Sequence, residues 1–461
     1  MSLRSVISFA AALSVAGAFT QAARADDAAP AAPAQPAPPA HPVWVDPIFG
    51  GIQFSGHIEG GVSFSPDSPK NNISFGQAFT DRANAFRVNQ TMLNVEADLD
   101  PKNDGFQYGF KFTGMYGTDS RYTHFFNEFD RSTSSPYQWD IVEAAALFHA
   151  PIPATGGVDI TVGQYPTPIG FEVIDNSVNP LYSHSYIFNY GLPFKHTGLY
   201  GTFHVTDTLD LWAGFDSGVN ADLGARGDNN NSGALLGGFG LNNLLDGNLT
   251  ILGLAHVGAE NPTGSTVNGK AFNVNQALRE YFDGVITYKI NDSWTSVTEL
   301  NLVHDDAYKV TAGGVAQYGL YKLNDQWSFT GRAEIFADQA KNGFTGFVCA
   351  FPGSEDAVDA QRNIVSNVAT KNPVGNQAYC GTGGTGTTGG AYNLTYGELT
   401  MGAAYTPPLT MPGTLGLVIR PEARFDSIIG GGRQKPFNVG AAGVGTKASQ
   451  VTLAIDAILS F

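Results

Sequence analysis

The segment SQVTLAIDAILSF, Ser449 to Phe461, interleaves two rows of residues. Every second position back from the end is apolar: Phe461, Leu459, Ala457, Ile455, Leu453 and Val451. The intervening set, Ser460, Ile458, Asp456, Ala454, Thr452 and Gln450, is mostly polar. Side chains of a β-strand alternate between its two faces, so this segment reads as a strand with one greasy and one wet face. One such strand also fits a soluble sandwich, and the rest of the chain decides between the two.

The same alternation recurs from residue 52 onward. Ile52, Phe54, Gly56, Ile58, Gly60, Val62 and Phe64 oppose Gln53, Ser55, His57, Glu59 and Ser63. Further rows include Leu93, Val95, Ala97 and Leu99, then Phe106, Tyr108, Phe110 and Phe112 beyond the turn at 100–105. Near the end, Leu399, Met401, Ala403 and Tyr405 precede Pro407-Pro408, and Leu417, Ile419, Ala423 and Phe425 form the penultimate row. About sixteen strands result, and the Gly-rich 234–243 is the weakest of them. Their connections alternate in length. Long ones cover 65–84, 118–137, 165–196, 218–233, 259–279, 305–312, 338–394 and 427–448. Short ones cover 100–105, 150–157, 206–207, 244–247, 291–292, 324–326 and 407–412. Membrane barrels have an even strand number, short periplasmic turns and long extracellular loops, whereas a sandwich has no reason to sort its loops. The expected fold is an all-β transmembrane antiparallel barrel.

Composition agrees. Hydrophobic residues make up 43% yet arrive in alternation, with no run long enough for a membrane-spanning helix. Only helices and closed barrels satisfy the backbone inside lipid. Residues 1–25 read as a signal peptide: Arg4, an apolar stretch from Val6 to Phe19, and Ala23-Arg24-Ala25 as a small-residue cleavage site. Residues 26–49, rich in Pro and Ala, read as a periplasmic linker, leaving 50–461 for the barrel. Removing the signal leaves 23 basic against 41 acidic residues, a net charge of −18. That balance argues against a nucleic-acid partner and favours cations near the lumen and outer surface. The two cysteines, Cys349 and Cys380, are expected to form a disulfide restraining a surface loop, contributing roughly 3–4 kcal/mol by chain entropy.

A terminal strand ending in Phe resembles the closing strand of bacterial outer-membrane barrels, in which that terminus serves as the assembly signal. The stretches VGQYPTPIGFEVID (Val162 to Asp175) and YSHSYIFNYGLPFKHTGLY (Tyr182 to Tyr200) carry the more distinctive likeness. They resemble the OmpL-like β-barrel porin family of Gram-negative bacteria, and the likeness extends over most of the chain after Gly50. The resemblance implies an outer-membrane, porin-like barrel and assigns no site residues. Expected partners are outer-membrane lipid and lipopolysaccharide, the barrel-assembly machinery through Phe461, small hydrophilic solutes or ions, and further copies in a homotrimer.

The third long connection, 165–196, combines Pro166, Pro168, Gly170, Pro180, Gly191 and Pro193 with Phe171, Tyr182, Tyr186 and Tyr190. Its apolar residues need somewhere to pack: a fold into the lumen or a cap over the rim. Charges on the lipid face cost about 2–4 kcal/mol each near the midplane, so strand register turns them inward. The candidate constriction sets Arg332, Arg420 and Arg424, with Glu422 on the same face, against Glu172 and Asp175 of the loop. A transverse field of that kind selects ions and small solutes, while bracing of the wall by ion pairs is the alternative role. No G-x-S-x-G, H-E-x-x-H, phosphate-binding loop or metal-ligand spacing occurs, so no enzyme, cofactor or metal is expected. Ser183, His184 and Asp175 form the one nominal hydrolytic set. The expected function is a water-filled pore for passive diffusion. A non-conducting surface barrel for adhesion or anchoring is the alternative, and an outer-membrane hydrolase a more distant one.

Overall fold

The computed structural model describes residues 44–45 and 51–461 apart from 101–102, 104, 126–127, 130–131, 134–135, 223–229, 262, 264–265, 268–269, 340–346, 351–392, 409–415, 432–434 and 441–444. Sixteen long strands make up the wall: β1 Gln53–Phe64, β2 Ala85–Ala97, β3 Gln107–Gly117, β4 Gln138–Ala150, β5 Val158–Pro166, β6 Lys195–Thr206, β7 Leu209–Asp216 and β8 Ala234–Asn243. The second half comprises β9 Leu249–Ala259, β10 Leu278–Lys289, β11 Trp294–Asp305, β12 Val310–Lys322, β13 Trp327–Gln339, β14 Asn393–Tyr405, β15 Gly416–Gly430 and β16 Ser449–Ser460. Each pairs antiparallel with the next, and β16 returns to β1 with Leu453 opposite Phe64 and Ser460 opposite His57. The sheet is a closed barrel. Closure leaves no unpaired strand edge, the condition for crossing lipid.

The two faces are inverted relative to a soluble protein. On β16 the apolar row points outward, with Val451, Leu453 and Ile455 42–46% exposed, while Asp456 on the opposite face is 2% exposed. Phe86, Phe215, Leu235 and Met401 are likewise exposed. Rings gather at the two rims of this apolar band. Beside the short turns, Trp294 lies 4.6 Å from Tyr321, and Trp327 lies 4.5 Å from Tyr405. At the other rim Tyr116 meets Trp139 at 4.7 Å. Such rings sit where hydrocarbon gives way to headgroups.

The short turns follow from side-chain chemistry. Asn291 Oδ1 accepts from the Ser293 and Trp294 N–H groups, and Asn324 Oδ1 accepts from Gln326 and Trp327 in the same way. Thr206 Oγ1 does this for Thr208 and Leu209. Asn and Thr side chains that mimic a backbone turn reverse a strand within a few residues. The weakly patterned 234–243 forms β8 in full register with β7 and β9.

One departure from the sequence reading concerns the linker. Trp44–Val45, inside the stretch read as spacer, pairs antiparallel with Phe54 and Gln53, where β16 has already ended. The rest of 1–49 lies outside the described residues, as does Cys380 and therefore the expected Cys349–Cys380 bond.

The interior of the barrel is packed. Phe75, Phe79, Phe171, Tyr186, Phe188 and Phe194 from the loops meet Tyr318, Phe336 and Tyr396 from the wall in one buried cluster. Part of the 165–196 connection belongs to the strands, and its remainder, 167–194, runs through this interior.

Candidate functional site in the lumen

The loop 167–194 leaves β5 at Pro166 and rejoins β6 at Lys195. Pro168, Pro180 and Pro193 interrupt regular pairing within it, and a π-helical turn over Ile187–Gly191 is its one regular piece. The loop must therefore find hydrogen-bond partners on the wall, because a buried unpaired backbone group costs about 1–3 kcal/mol. Inward carboxylates supply them. Glu334 on β13 accepts from the N–H groups of Tyr186 (2.7 Å) and Ile187 (2.8 Å). Glu422 on β15 accepts from Tyr182 and Ser183 at 3.0 and 3.1 Å. Glu299 on β11 accepts from Phe171 at 3.0 Å. Across the lumen on β2, Gln90 donates to the Ile174 carbonyl at 2.7 Å and accepts from the Asn176 N–H.

Arginines bind the carbonyl side. Arg332 Nη1 lies 2.6 Å from Glu172 Oε1 and also donates to the Ser183 carbonyl at 2.8 Å. Its Nε reaches Glu398 on β14 at 3.1 Å. Arg420 donates to the Asn179 and Asn176 carbonyls at 2.6 and 2.9 Å while pairing with Asp456 and Glu59. Arg424 donates to the His184 carbonyl, pairs with Asp426 at 2.8 Å, and lies over the Tyr186 ring. Gly191 presses against the wall, and a Cβ there would stand 2.2 Å from Asn301 Oδ1. Asn301 Nδ2 donates to the Gly191 carbonyl. Burial pushes the Glu172 carboxyl up, but Arg332, His184 and the Ser185 N–H outweigh it and hold the group down to about 2. The loop is thus stitched across the barrel.

The model of the family described as "Putative beta-barrel porin-2, OmpL-like" matches residues 51–461. The chain belongs to the OmpL-like beta-barrel porin family. Its place is the bacterial outer membrane, and its architecture is that of a porin channel. Among solved structures, OprB of Pseudomonas putida is similar at 10% identity, covering 89% of this chain and 94% of that one, with a TM-score of 0.51. An anion-selective porin from Comamonas acidovorans is similar at 8% identity, covering 89% and 99%, with a TM-score of 0.50. These likenesses show the barrel fold. No curated sequence relative matches.

Within this porin, four of the six constriction candidates surround the loop, Glu172 meets one of them from within it, and Asp175 stands apart. Glu172 meets Arg332 directly, whereas Arg420, Glu422 and Arg424 hold the loop backbone. Among the described residues Asp175 pairs with no arginine. Its carboxylate accepts from Ser177 and lies 3.7 Å from His57. Nor does it complete a set with Ser183 and His184, since His184 Nδ1 faces Glu172 at 3.3 Å. Glu398, Asp456 and Asn301 also belong to the scaffold and were not singled out by sequence. The alternation places all three on the wet face of their strands, which is the signal they carry.

The water-accessible charges of the porin lie elsewhere. Along β2 to β5, Lys111 pairs with Asp98 at 3.0 Å and approaches Glu96, while Asp98 and Asp159 remain 44% and 41% exposed. These residues sit toward the short-turn ends of their strands.

Proposed function

We propose that this porin passes ions and small hydrophilic solutes by passive diffusion, and that the loop 167–194 is its constriction. The observation that carries this reading is the loop's course through the lumen, gripped by wall strands from β11 round to β2. Arg332, Arg420, Arg424, Glu172 and Glu422 act as braces that fix the loop, because their charges are spent on one another and on loop backbone. Selectivity comes from the short-turn mouth, where Glu96 and Asp98 outnumber Lys111 while Asp159 lies between His149 and His204, leaving a small acidic excess that favours cations.

Planar-bilayer recording of the refolded mature chain under a KCl gradient tests this. Discrete conductance steps with a cation-biased reversal potential support it, and Glu96→Gln with Asp98→Asn should reduce the bias. A folded barrel that passes no current rejects it. That outcome favours a non-conducting surface barrel, a reading supported by the near-complete burial of Arg332, Arg424 and Glu172.

Catalysis is not part of the proposed role. Ser183 and His184 are committed to the brace around Arg332 and Glu172, and labelling of Ser183 by a serine-directed inhibitor would overturn this.

The outer face supports association into a homotrimer. On it, Gln317 of β12 accepts from Thr298 at 2.6 Å and donates to Ser296 at 2.9 Å. Polar groups facing lipid are costly, and contact with another protomer removes that cost. A Cβ on either Gly319 or Gly331 nearby would meet no atom within 4 Å, so this part of the wall is recessed. Lipid and lipopolysaccharide would cover the remaining apolar band, and Phe461 would be the residue read by the assembly machinery.

A further inference from the structure

Behind the root of the loop, three side chains from three different strands converge. His196 lies on β6, Asp216 ends β7, and His256 lies on β9. His256 Nε2 is 3.0 Å from Asp216 Oδ1, and His196 Nδ1 is 3.6 Å from the same oxygen. The ligand atoms of the three residues all lie within 4.8 Å of one another, and the three side chains are fully buried. We infer that His196, Asp216 and His256 form a site for a first-row divalent transition-metal ion such as zinc.

Ligand chemistry and spacing support the assignment. Two imidazoles and one carboxylate are a donor set suited to zinc, with a fourth position left for water or another ligand. A tetrahedral ion with bonds of about 2.0–2.1 Å sets its donors roughly 3.3–3.4 Å apart. The separations from Asp216 Oδ1, 3.0 and 3.6 Å, bracket that value, and all three donors lie within 4.8 Å of one another.

Neighbouring residues make the approach feasible. A Cβ on Gly198, opposite Asp216 on β6, would stand 2.7 Å from the Asp216 Cβ, so only glycine leaves that carboxylate its place. On β8, between Asp216 and the strand of His256, the residue paired with Asp216 is the small Ala234. The surrounding shell orients the donors. His196 Nε2 contacts Thr167 Oγ1 at 3.1 Å, and Asp216 Oδ1 accepts from the Gly218 N–H at 2.8 Å. Outer-shell partners of this kind aim an imidazole at a metal.

A hydrogen-bonded brace is the simpler role for the three residues, and it leaves the cluster incomplete. His256 Nδ1 is buried without a hydrogen-bond partner, so either tautomer of the ring strands one nitrogen. A metal at Nε2 would leave the Nδ1 N–H equally unpartnered, so the assignment rests on the donor set and its spacing. Because Thr167 belongs to the constriction loop, a bound ion would also stiffen the loop at its root.

The test uses the mature barrel refolded with and without zinc chloride, so that entry through the packed loops does not limit loading. After desalting, metal is counted by mass spectrometry, and cobalt loading is read by its visible absorption. About one zinc per chain and a four-coordinate cobalt spectrum are expected, both lost in His196→Gln and His256→Gln. His204→Gln, in a separate histidine–aspartate cluster on the short-turn side, should retain the metal. No retained zinc and no cobalt bands in the wild-type barrel overturn the proposal, whether or not the variants fold. Metal kept by His256→Gln but lost from His204→Gln overturns it as well.

Discussion

Arg332 of the barrel wall and Glu172 of the loop form a buried ion pair, with Nη1 and Oε1 2.6 Å apart. It joins two residues 160 positions apart in the chain. The pair closes a network that also includes Glu398, Tyr318 and the Ser183 carbonyl. Removing one member of such a pair leaves an uncompensated buried charge, which costs about 3–5 kcal/mol. Arg332→Met should therefore lower the unfolding temperature in detergent, or raise the fraction that unfolds on a semi-native gel. Adding Glu172→Leu should recover part of that loss, and a double variant no more stable than Arg332→Met would count against the pair as the source.

The Glu334 carboxylate holds the Tyr186 and Ile187 N–H groups. Glu334→Ala should free both, at a cost of about 1–3 kcal/mol for each unsatisfied group. Hydrogen exchange measured by mass spectrometry should rise over 186–190 and stay unchanged at 182–183, held by Glu422, and around Phe171, which depends on Glu299. Uniform protection across the loop would contradict this division.

Gly56 lies where the two ends of the barrel meet. It exchanges backbone hydrogen bonds with Phe461, and a Cβ there would stand 2.3 Å from the Met92 carbonyl oxygen and 2.7 Å from the Phe461 ring. Gly56→Val should sharply reduce the heat-modifiable, folded fraction. Gly319→Ala, in open space, should assemble as the wild type does. Equal folded fractions for the two variants would remove closure as the reason for this glycine.

On the outer face, Gly331→Trp adds a large ring at a position where a Cβ would meet no atom of the protomer within 4 Å. The barrel should fold normally and run as a monomer where the wild type forms the proposed homotrimer, as read by native mass spectrometry or light scattering in detergent. An oligomer that persists with this variant would place the contact elsewhere on the wall.

Much of the fold is legible in residue order because the membrane imposes simple periodic rules. Lipid on one side and polar groups on the other require strict alternation, and strands such as β16 and β1 display it residue by residue. The sorting of long and short connections then sets the strand number and orientation. Trp44–Val45 escaped this reading, since two residues are too few to show a period and their pairing depends on where β16 stops.

The lumen was legible only in part. Alternation places Glu299, Arg332, Glu334, Arg420, Glu422 and Arg424 inward, and Pro and Gly density marks 167–194 as a special loop. Which charge meets which partner depends on the path of that loop through three dimensions. Hence Arg332 finds Glu172, while Arg420 and Arg424 take loop carbonyls, and Asp175 turns toward His57. The His196, Asp216 and His256 cluster carries no spacing signal, because its members come from three strands and meet across Ala234. Residue order by itself determined the barrel, its face and its orientation, because those follow from local periodicity in a layered solvent. Tertiary structure alone decided the pairing inside the lumen, because those partners are joined by the packing of distant segments.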